Sequence, residues 1–133
     1  MKKICLWFAT VAVLSGCNMS SSVPDPSPNQ DKIAQATYDL LRQGQLEAAN
    51  QNFEPQLQQY FAQNQKQMKK FSHVLPKTDY KTKKIVAKNI DQNMYTVSYE
   101  YAYDGNLVQY NVSFDRPQGS EKIRNLDIQV FGK

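Results

Sequence analysis

Apolar and polar residues alternate over residues 94–114, and this alternation predicts a β-hairpin. In its first half, one face carries the odd positions, which are Tyr95, Val97, Tyr99, Tyr101 and Tyr103. A period of two built from β-branched and aromatic side chains is typical of a half-buried strand. Residues 104–106, Asp-Gly-Asn, tolerate positive φ and predict the turn, after which the second strand has an apolar face of Val108, Tyr110, Val112 and Phe114. A two-stranded hairpin is marginal in water, so this face needs further strands and a covering helix.

Helical periodicity precedes the hairpin. Apolar positions at three- to four-residue spacing predict a first helix, with Asn29 or Asp31 as its N-cap and Gly44 as its C′ residue. A short helix is predicted over residues 46–52, and Pro55 opens a third helix whose apolar stripe continues to Met68. Residues 71–76 are predicted to be a connector.

Two further strands complete the predicted sheet. Residues 79–88 alternate imperfectly, so a bulge is expected near Lys83 and Lys84. Residues 121–131 place Leu126, Ile128 and Val130 on one face. Helices first and four strands afterwards predict an α+β fold, in which N-terminal helices pack on one face of a four-stranded antiparallel meander sheet.

The amino terminus has the pattern of an export signal. A basic start is followed by eleven apolar residues at 4–14, a run too short to span a bilayer. The box Leu14, Ser15, Gly16 and Cys17 resembles the bacterial lipoprotein signature, which implies cleavage before Cys17 and acylation of its thiol, palmitate included. The alternative is an ordinary exported signal in which this cysteine occurs by chance. In Gram-negative lipoproteins, an Asp at the next position is similar to an inner-membrane retention signal. Asn18 stands there instead, which implies an outer-membrane location facing the periplasm.

These patterns divide the chain into a signal peptide at 1–16, a disordered tether at 17–30 and an α+β domain at 31–133. The tether is predicted because its Ser, Pro and Asn residues cannot bury enough apolar surface to order the segment. Lys2 and Lys3 leave with the signal, so basic residues fall from 16 to 14 against 12 acidic ones and the net charge falls from +4 to +2. Near-balanced charge in an exported protein argues against nucleic-acid binding.

A family resemblance accompanies this fold prediction. The helix, the glycine turn Arg42-Gln43-Gly44-Gln45, the second helix and the tyrosine-rich strand meander over about residues 31–131 are similar to the lipoprotein branch of the nuclear-transport-factor-2-like, cystatin-like superfamily. The resemblance implies a cone-like domain. Members include isomerases, dehydratases and ligand binders, so the fold alone assigns no task.

The tyrosine stripe is the first candidate site. Buried phenol hydroxyls need hydrogen-bond partners, and the third helix offers mainly apolar side chains. We therefore expect Val97 and Tyr99 to pack against that helix while Tyr101 or Tyr103 opens toward a partly solvated cleft. The predicted cleft-lining residues are Tyr99, Tyr101, Tyr103 and Tyr110.

Acid–base chemistry is the competing interpretation. Glu100 lies in the middle of a strand, where burial could raise the pKa of its carboxyl group, although a solvated or paired glutamate is the commoner outcome; the same holds for Asp127. His73, in the predicted connector, is expected to be solvated. With one histidine and no free thiol, no metal site or cofactor is expected.

The one charge bias of the mature chain is a lysine series. It either contacts an anionic surface such as lipid headgroups or protects a strand edge from pairing with other chains. The series consists of Lys77, Lys81, Lys83, Lys84 and Lys88, with Lys66, Lys69 and Lys70 nearby in sequence. The predicted surface contacts are Lys81, Lys83, Lys84 and Lys88.

The sequence thus predicts a lipid-anchored envelope protein whose non-enzymatic domain binds an envelope protein or a small apolar ligand. One alternative is a small cone-fold enzyme that uses Glu100 or a tyrosine as acid or base. The other is an inhibitor of an exogenous hydrolase that inserts the loop at residues 116–120.

Overall fold

The computed structural model describes residues 23–132 of the 133-residue chain. Four helices come first, α1 (Pro28–Arg42), α2 (Leu46–Asn50), α3 (Pro55–Gln63) and α4 (Gln65–Val74). Four strands follow, β1 (Thr82–Asp91), β2 (Met94–Ala102), β3 (Asn106–Phe114) and β4 (Asn125–Gly132). The strands pair antiparallel in the order β1-β2-β3-β4, so the predicted α+β meander is confirmed.

α1 begins earlier than the sequence predicts, because Ser27 is its N-cap. The Ser27 Oγ accepts a hydrogen bond from the Gln30 backbone N–H at 3.0 Å, and the Gln30 Oε1 accepts one from the Ser27 N–H at 3.0 Å. This reciprocal capping box satisfies two N–H groups that the helix leaves open, and Pro28 fits the first turn. The prediction of Asn29 or Asp31 as the cap was therefore wrong, whereas Gly44, with φ +78°, follows the last turn as predicted.

The prediction of a free tether up to residue 30 was also wrong at its C-terminal end, because residues 23–27 lie against the domain. Val23 packs against the core. The Pro24 carbonyl accepts a hydrogen bond from the Tyr95 hydroxyl at 2.7 Å, and the Asp25 carboxylate pairs with Lys88 at 2.6 Å. Polar and apolar contacts together hold this proline-rich stretch despite its composition. Residues 17–22, the signal peptide at 1–16 and the predicted acylation site Cys17 lie outside the described residues.

The predicted third helix is two helices, separated at Asn64. Its backbone leaves the helical region at φ −133° and ψ 54°, and its side-chain Nδ2 donates to the Tyr60 carbonyl at 2.8 Å. Asparagine offers the backbone such a local alternative to the helix ladder. α4 then continues to Val74 with Phe71 buried, so the prediction of a connector over 71–76 was wrong, and the helix ends before Pro76.

One face of the sheet, the inner face, carries the core. β2 alternates strictly between buried and half-buried residues, and Tyr99 lies opposite Tyr110 on β3. The predicted bulge in the first strand exists, but it lies between Ile85 and Ala87, two residues beyond the predicted place. Hydrogen bonds from the tyrosines reach α1, which therefore covers the centre of the inner face.

Candidate functional site

The four tyrosines predicted to line a cleft are buried, so no partly solvated tyrosine cleft exists at this place. Tyr99 and Tyr101 are each 1% exposed, Tyr103 is 7% exposed and Tyr110 is 0% exposed. The prediction that Tyr101 or Tyr103 opens to solvent was wrong. The inner face is filled by side chains.

The physical reason is that α1 supplies polar partners where the third helix could not. The Tyr99 hydroxyl donates to the Asp31 carboxylate at 2.6 Å, and the Tyr110 hydroxyl donates to the Ala34 carbonyl at 2.9 Å. Satisfied hydroxyls can be buried without a wet boundary. The hydroxyl of Tyr99 therefore lies against α1.

Tyr38 on α1 completes the tyrosine cluster. Its ring stacks on Tyr101 with centroids 3.7 Å apart and 4° between the planes, and its hydroxyl lies 2.5 Å from the Tyr103 hydroxyl. The Tyr101 hydroxyl differs from these groups, because it is buried without a hydrogen-bond partner among residues 23–132. Tyr80 packs edge-on against the same ring at 4.9 Å. The cluster is a packed aromatic core with one unsatisfied hydroxyl.

Burial sets the protonation of the cluster. It is the main cause that raises the pKa of each buried phenol, to about 12 for Tyr95 and in the same direction for Tyr38, Tyr99, Tyr101, Tyr103 and Tyr110. The hydrogen bond to Asp31 adds to the effect at Tyr99. A phenol with a raised pKa holds its proton more firmly, which makes it a poor general base at neutral pH.

The predicted acid–base candidates do not meet. Glu100 projects from the outer face of the sheet, opposite Gln109, and pairs with Lys84 at 3.6 Å. Asp127 is exposed on β4, and His73 is exposed in the last turn of α4. The tyrosines are thus buried on the inner face of the sheet, whereas the predicted carboxylates lie outside this core.

The four predicted surface lysines are divided between protein partners rather than gathered in one patch. Lys81 pairs with Asp104 at 3.8 Å and Lys84 with Glu100 at 3.6 Å. Lys83 donates to the Gln35 side chain on α1, and Lys88 pairs with Asp25. All four lie on or beside β1, an edge of the sheet, which fits the edge-protection alternative.

The loop at residues 116–120 is held by one buried side chain. The Gln30 Nε2 donates to the carbonyls of Arg116 and Ser120, both at 3.0 Å, and its Oε1 accepts from the Gln118 N–H at 3.1 Å. These bonds fix the loop to α1. A loop that inserts into another protein would have to break these hydrogen bonds to the Gln30 amide.

An open groove lies between α4 and the edge strand β4, with a volume of about 1020 Å³. Phe71 and Val74 from α4 and Ile128 and Val130 from β4 supply its apolar lining. Lys66, Lys69, Lys70 and Asp127 supply its charged lining. The sequence did not predict this groove, because the placement of α4 beside β4 is a tertiary feature that local pattern does not reveal.

Residues 23–132 contain no group of three or more His, Cys, Asp and Glu side chains arranged to hold a metal ion. Nor does any helix in this part of the chain have the length and apolar character needed to cross a membrane. Comparison with known proteins gives no match, whether to a family model, to a curated protein or to a solved structure.

Proposed function

We propose that this protein is a non-enzymatic lipoprotein of the cell envelope, anchored through Cys17, whose α+β domain binds a partner protein. The observation that carries the proposal is the contrast between a filled inner face and an open groove. The tyrosines that would line a ligand cavity are buried, and the hydroxyls of Tyr99 and Tyr110 are hydrogen-bonded to α1. The groove beside β4 is open, and no strand among residues 23–132 pairs with the outer edge of β4.

This contrast favours a protein partner over a small apolar ligand. Ligand pockets enclose most of their ligand and are lined mainly by apolar groups. The groove instead mixes apolar side chains with three lysines along a strand and a helix. Extended peptides bind such edges through their main chain.

The enzymatic and inhibitory alternatives have less support. Glu100 is paired with Lys84 on the outer face, and Lys84 is the one ion-pair partner of its carboxylate within residues 23–132. The loop at residues 116–120 is tied to Gln30.

Site-specific photo-crosslinking in cells tests the partner. A photo-reactive amino acid replaces Val74, which lies in the groove and is 38% exposed, or as a control Val86, which lies at the opposite sheet edge and is 45% exposed. We expect a discrete adduct with an envelope protein from position 74 and none from position 86. Absence of an adduct at position 74, or equal adducts at both, would contradict the proposal.

The anchor is tested separately. We expect Cys17→Ala to leave an unprocessed precursor that takes up no labelled palmitate. Membrane fractionation and palmitate labelling equal to those of the parent would show that Cys17 is not the acylation site.

A further inference from the structure

Within residues 23–132, the outer edge of the sheet at β4 pairs with another segment only just before the strand begins. β4 pairs with β3 on one side, and alternate backbone N–H and C=O groups of an edge strand point away from its neighbour. Just before β4, Ile123 forms a single parallel bridge with Phe53, in which the Glu54 N–H donates to the Ile123 carbonyl at 2.8 Å. Pro55 then opens α3 and the chain leaves the edge. The eight residues of β4 extend beyond this bridge for about 26 Å.

The helix wall of the groove is positively charged and uncompensated. No ion pair or hydrogen bond within residues 23–132 engages the ammonium groups of Lys66, Lys69 and Lys70. Lys66 and Lys70 are four residues apart on α4, a spacing at which like charges repel each other. The lysines on or beside β1, in contrast, all have protein partners.

Two further details make the groove more electropositive. α4 has no side-chain cap at its N-terminus, and residues 64–67 of that end line the groove, so the positive end of the helix dipole adds to the lysines. Asp127 is the one carboxylate in the lining, against three lysines.

We propose that an extended, acidic segment of a partner protein binds in this groove as a fifth strand of the sheet, paired with β4. The inference rests on the proposed partner-binding function and specifies the chemistry of the partner. Main-chain hydrogen bonds to the free edge supply the pairing, alternate apolar side chains contact Ile128 and Val130, and carboxylates reach Lys66 and Lys70.

Charge and shape argue against two other occupants. A second copy of this chain, paired edge to edge, would bring two sets of the same lysines to one seam. An anionic membrane surface would use the lysines but not the recessed apolar lining or the directional groups of the strand edge.

Designed heptapeptides, acetylated and amidated, test the inference on the full chain in detergent micelles. The probe alternates glutamate with valine, and the control replaces every glutamate by glutamine. Two further probes carry N-methyl groups on either the odd or the even backbone nitrogens. Isothermal titration measures affinity, and NMR shifts of the amides at residues 127–131 report the site.

We expect the glutamate peptide to bind and the glutamine peptide to bind much more weakly. We also expect only one of the two N-methylated probes to lose binding, because alternate N–H groups of an added strand face β4. Lys66→Gln with Lys70→Gln should weaken binding by about fivefold to tenfold. Lys81→Gln with Lys84→Gln is the matched control, since it removes the same charge from the other edge and should leave affinity unchanged.

Several results would overturn the inference. These are no binding of the glutamate peptide, equal binding of the glutamate and glutamine peptides, equal binding of both N-methylated probes, or an unchanged affinity in the Lys66 and Lys70 variant. Displacement of the peptide by soluble dihexanoylphosphatidylglycerol, with the same amide shifts, would indicate a lipid surface instead. If the peptide fails while position 74 still gives its envelope adduct, the acidic strand is wrong and the partner-binding function stands. If the peptide binds but no adduct forms in cells, the proposed envelope partner is contradicted.

Discussion

Tyr101→Phe should stabilise the protein, which is the opposite of what removing a polar group from a buried tyrosine usually does. The Tyr101 ring is 1% exposed, stacked on Tyr38 and packed edge-on against Tyr80. Its hydroxyl has no hydrogen-bond partner within residues 23–132. Phenylalanine keeps both ring contacts and removes only the unsatisfied oxygen.

The magnitude follows from the cost of burying an unpaired hydroxyl. Leaving a buried donor or acceptor unsatisfied costs about 1 to 3 kcal/mol. The small cavity left by the missing oxygen offsets part of the stability gained by removing this cost. We therefore expect the free energy of unfolding to rise by about 1 kcal/mol, with a rise in Tm of about 4 °C.

Two matched variants on the same stripe should respond with the opposite sign. Tyr110→Phe removes a 2.9 Å bond to the Ala34 carbonyl and should cost about 1 kcal/mol. Tyr99→Phe removes a 2.6 Å bond to the Asp31 carboxylate and should cost about 2 kcal/mol, because bonds to charged groups are stronger.

Urea unfolding with unchanged m-values measures all three variants. If Tyr101→Phe destabilised the protein as much as the other two, the Tyr101 hydroxyl would have a partner, such as an internal water, and the reasoning would be refuted.

Three further predictions concern pH, the loop and the N-terminal segment. Buried tyrosines with raised pKa values keep protons that unfolded tyrosines release above about pH 10. The free energy of unfolding is therefore unaffected below that pH and falls above it, by about 5 kcal/mol per pH unit for four such groups. We expect cooperative unfolding near pH 11, measured by circular dichroism. The four groups are Tyr38, Tyr99, Tyr101 and Tyr110. A protein that stays folded well beyond pH 12 would contradict this pH dependence. Gln30→Ala removes the buried amide that holds the loop and should cost about 3 kcal/mol in urea, whereas Gln118→Ala, whose side chain makes one exposed bond, should cost less than about 1 kcal/mol. Lys88→Ala should lower the free energy of unfolding by less than about 1 kcal/mol while hydrogen exchange at residues 23–27 accelerates, and unchanged exchange there would mean that the pair with Asp25 does not hold the segment.

Local pattern was enough to predict the sheet. Alternation identified the buried faces of β2 and β3, and Gly105, with φ +94°, lies in the predicted turn. These features depend on neighbours in sequence, since a strand's two faces and a tight turn are set over a few residues. The helix at Pro28 could also have been found, because Ser27 and Gln30 form a recognisable capping pattern.

What the sequence could not show is which helix lies on which strand. The tyrosine cleft was predicted on the assumption that the third helix covers Tyr99, and that helix has no polar partner to offer. The partners come from Asp31 and Ala34, 68 and 76 residues away in the chain. Such pairings depend on tertiary placement, as does the groove, which needs α4 beside β4.

The attachment of residues 23–27 to the domain determines how the protein stands on a membrane if Cys17 carries the proposed acyl chains. Only five residues separate Cys17 from Val23, so the leash reaches at most about 20 Å whatever its conformation. Pro24 is fixed to Tyr95 near the start of β2, so the proposed anchor would place that end of the sheet toward the lipid and the turn at Gly105 away from it. β4 starts at the lipid-facing end, since the Arg124 side chain donates to the Asn93 carbonyl at 2.5 Å. The long axis of the groove would then lie along the membrane normal, and its opening would face proteins anchored in the same leaflet.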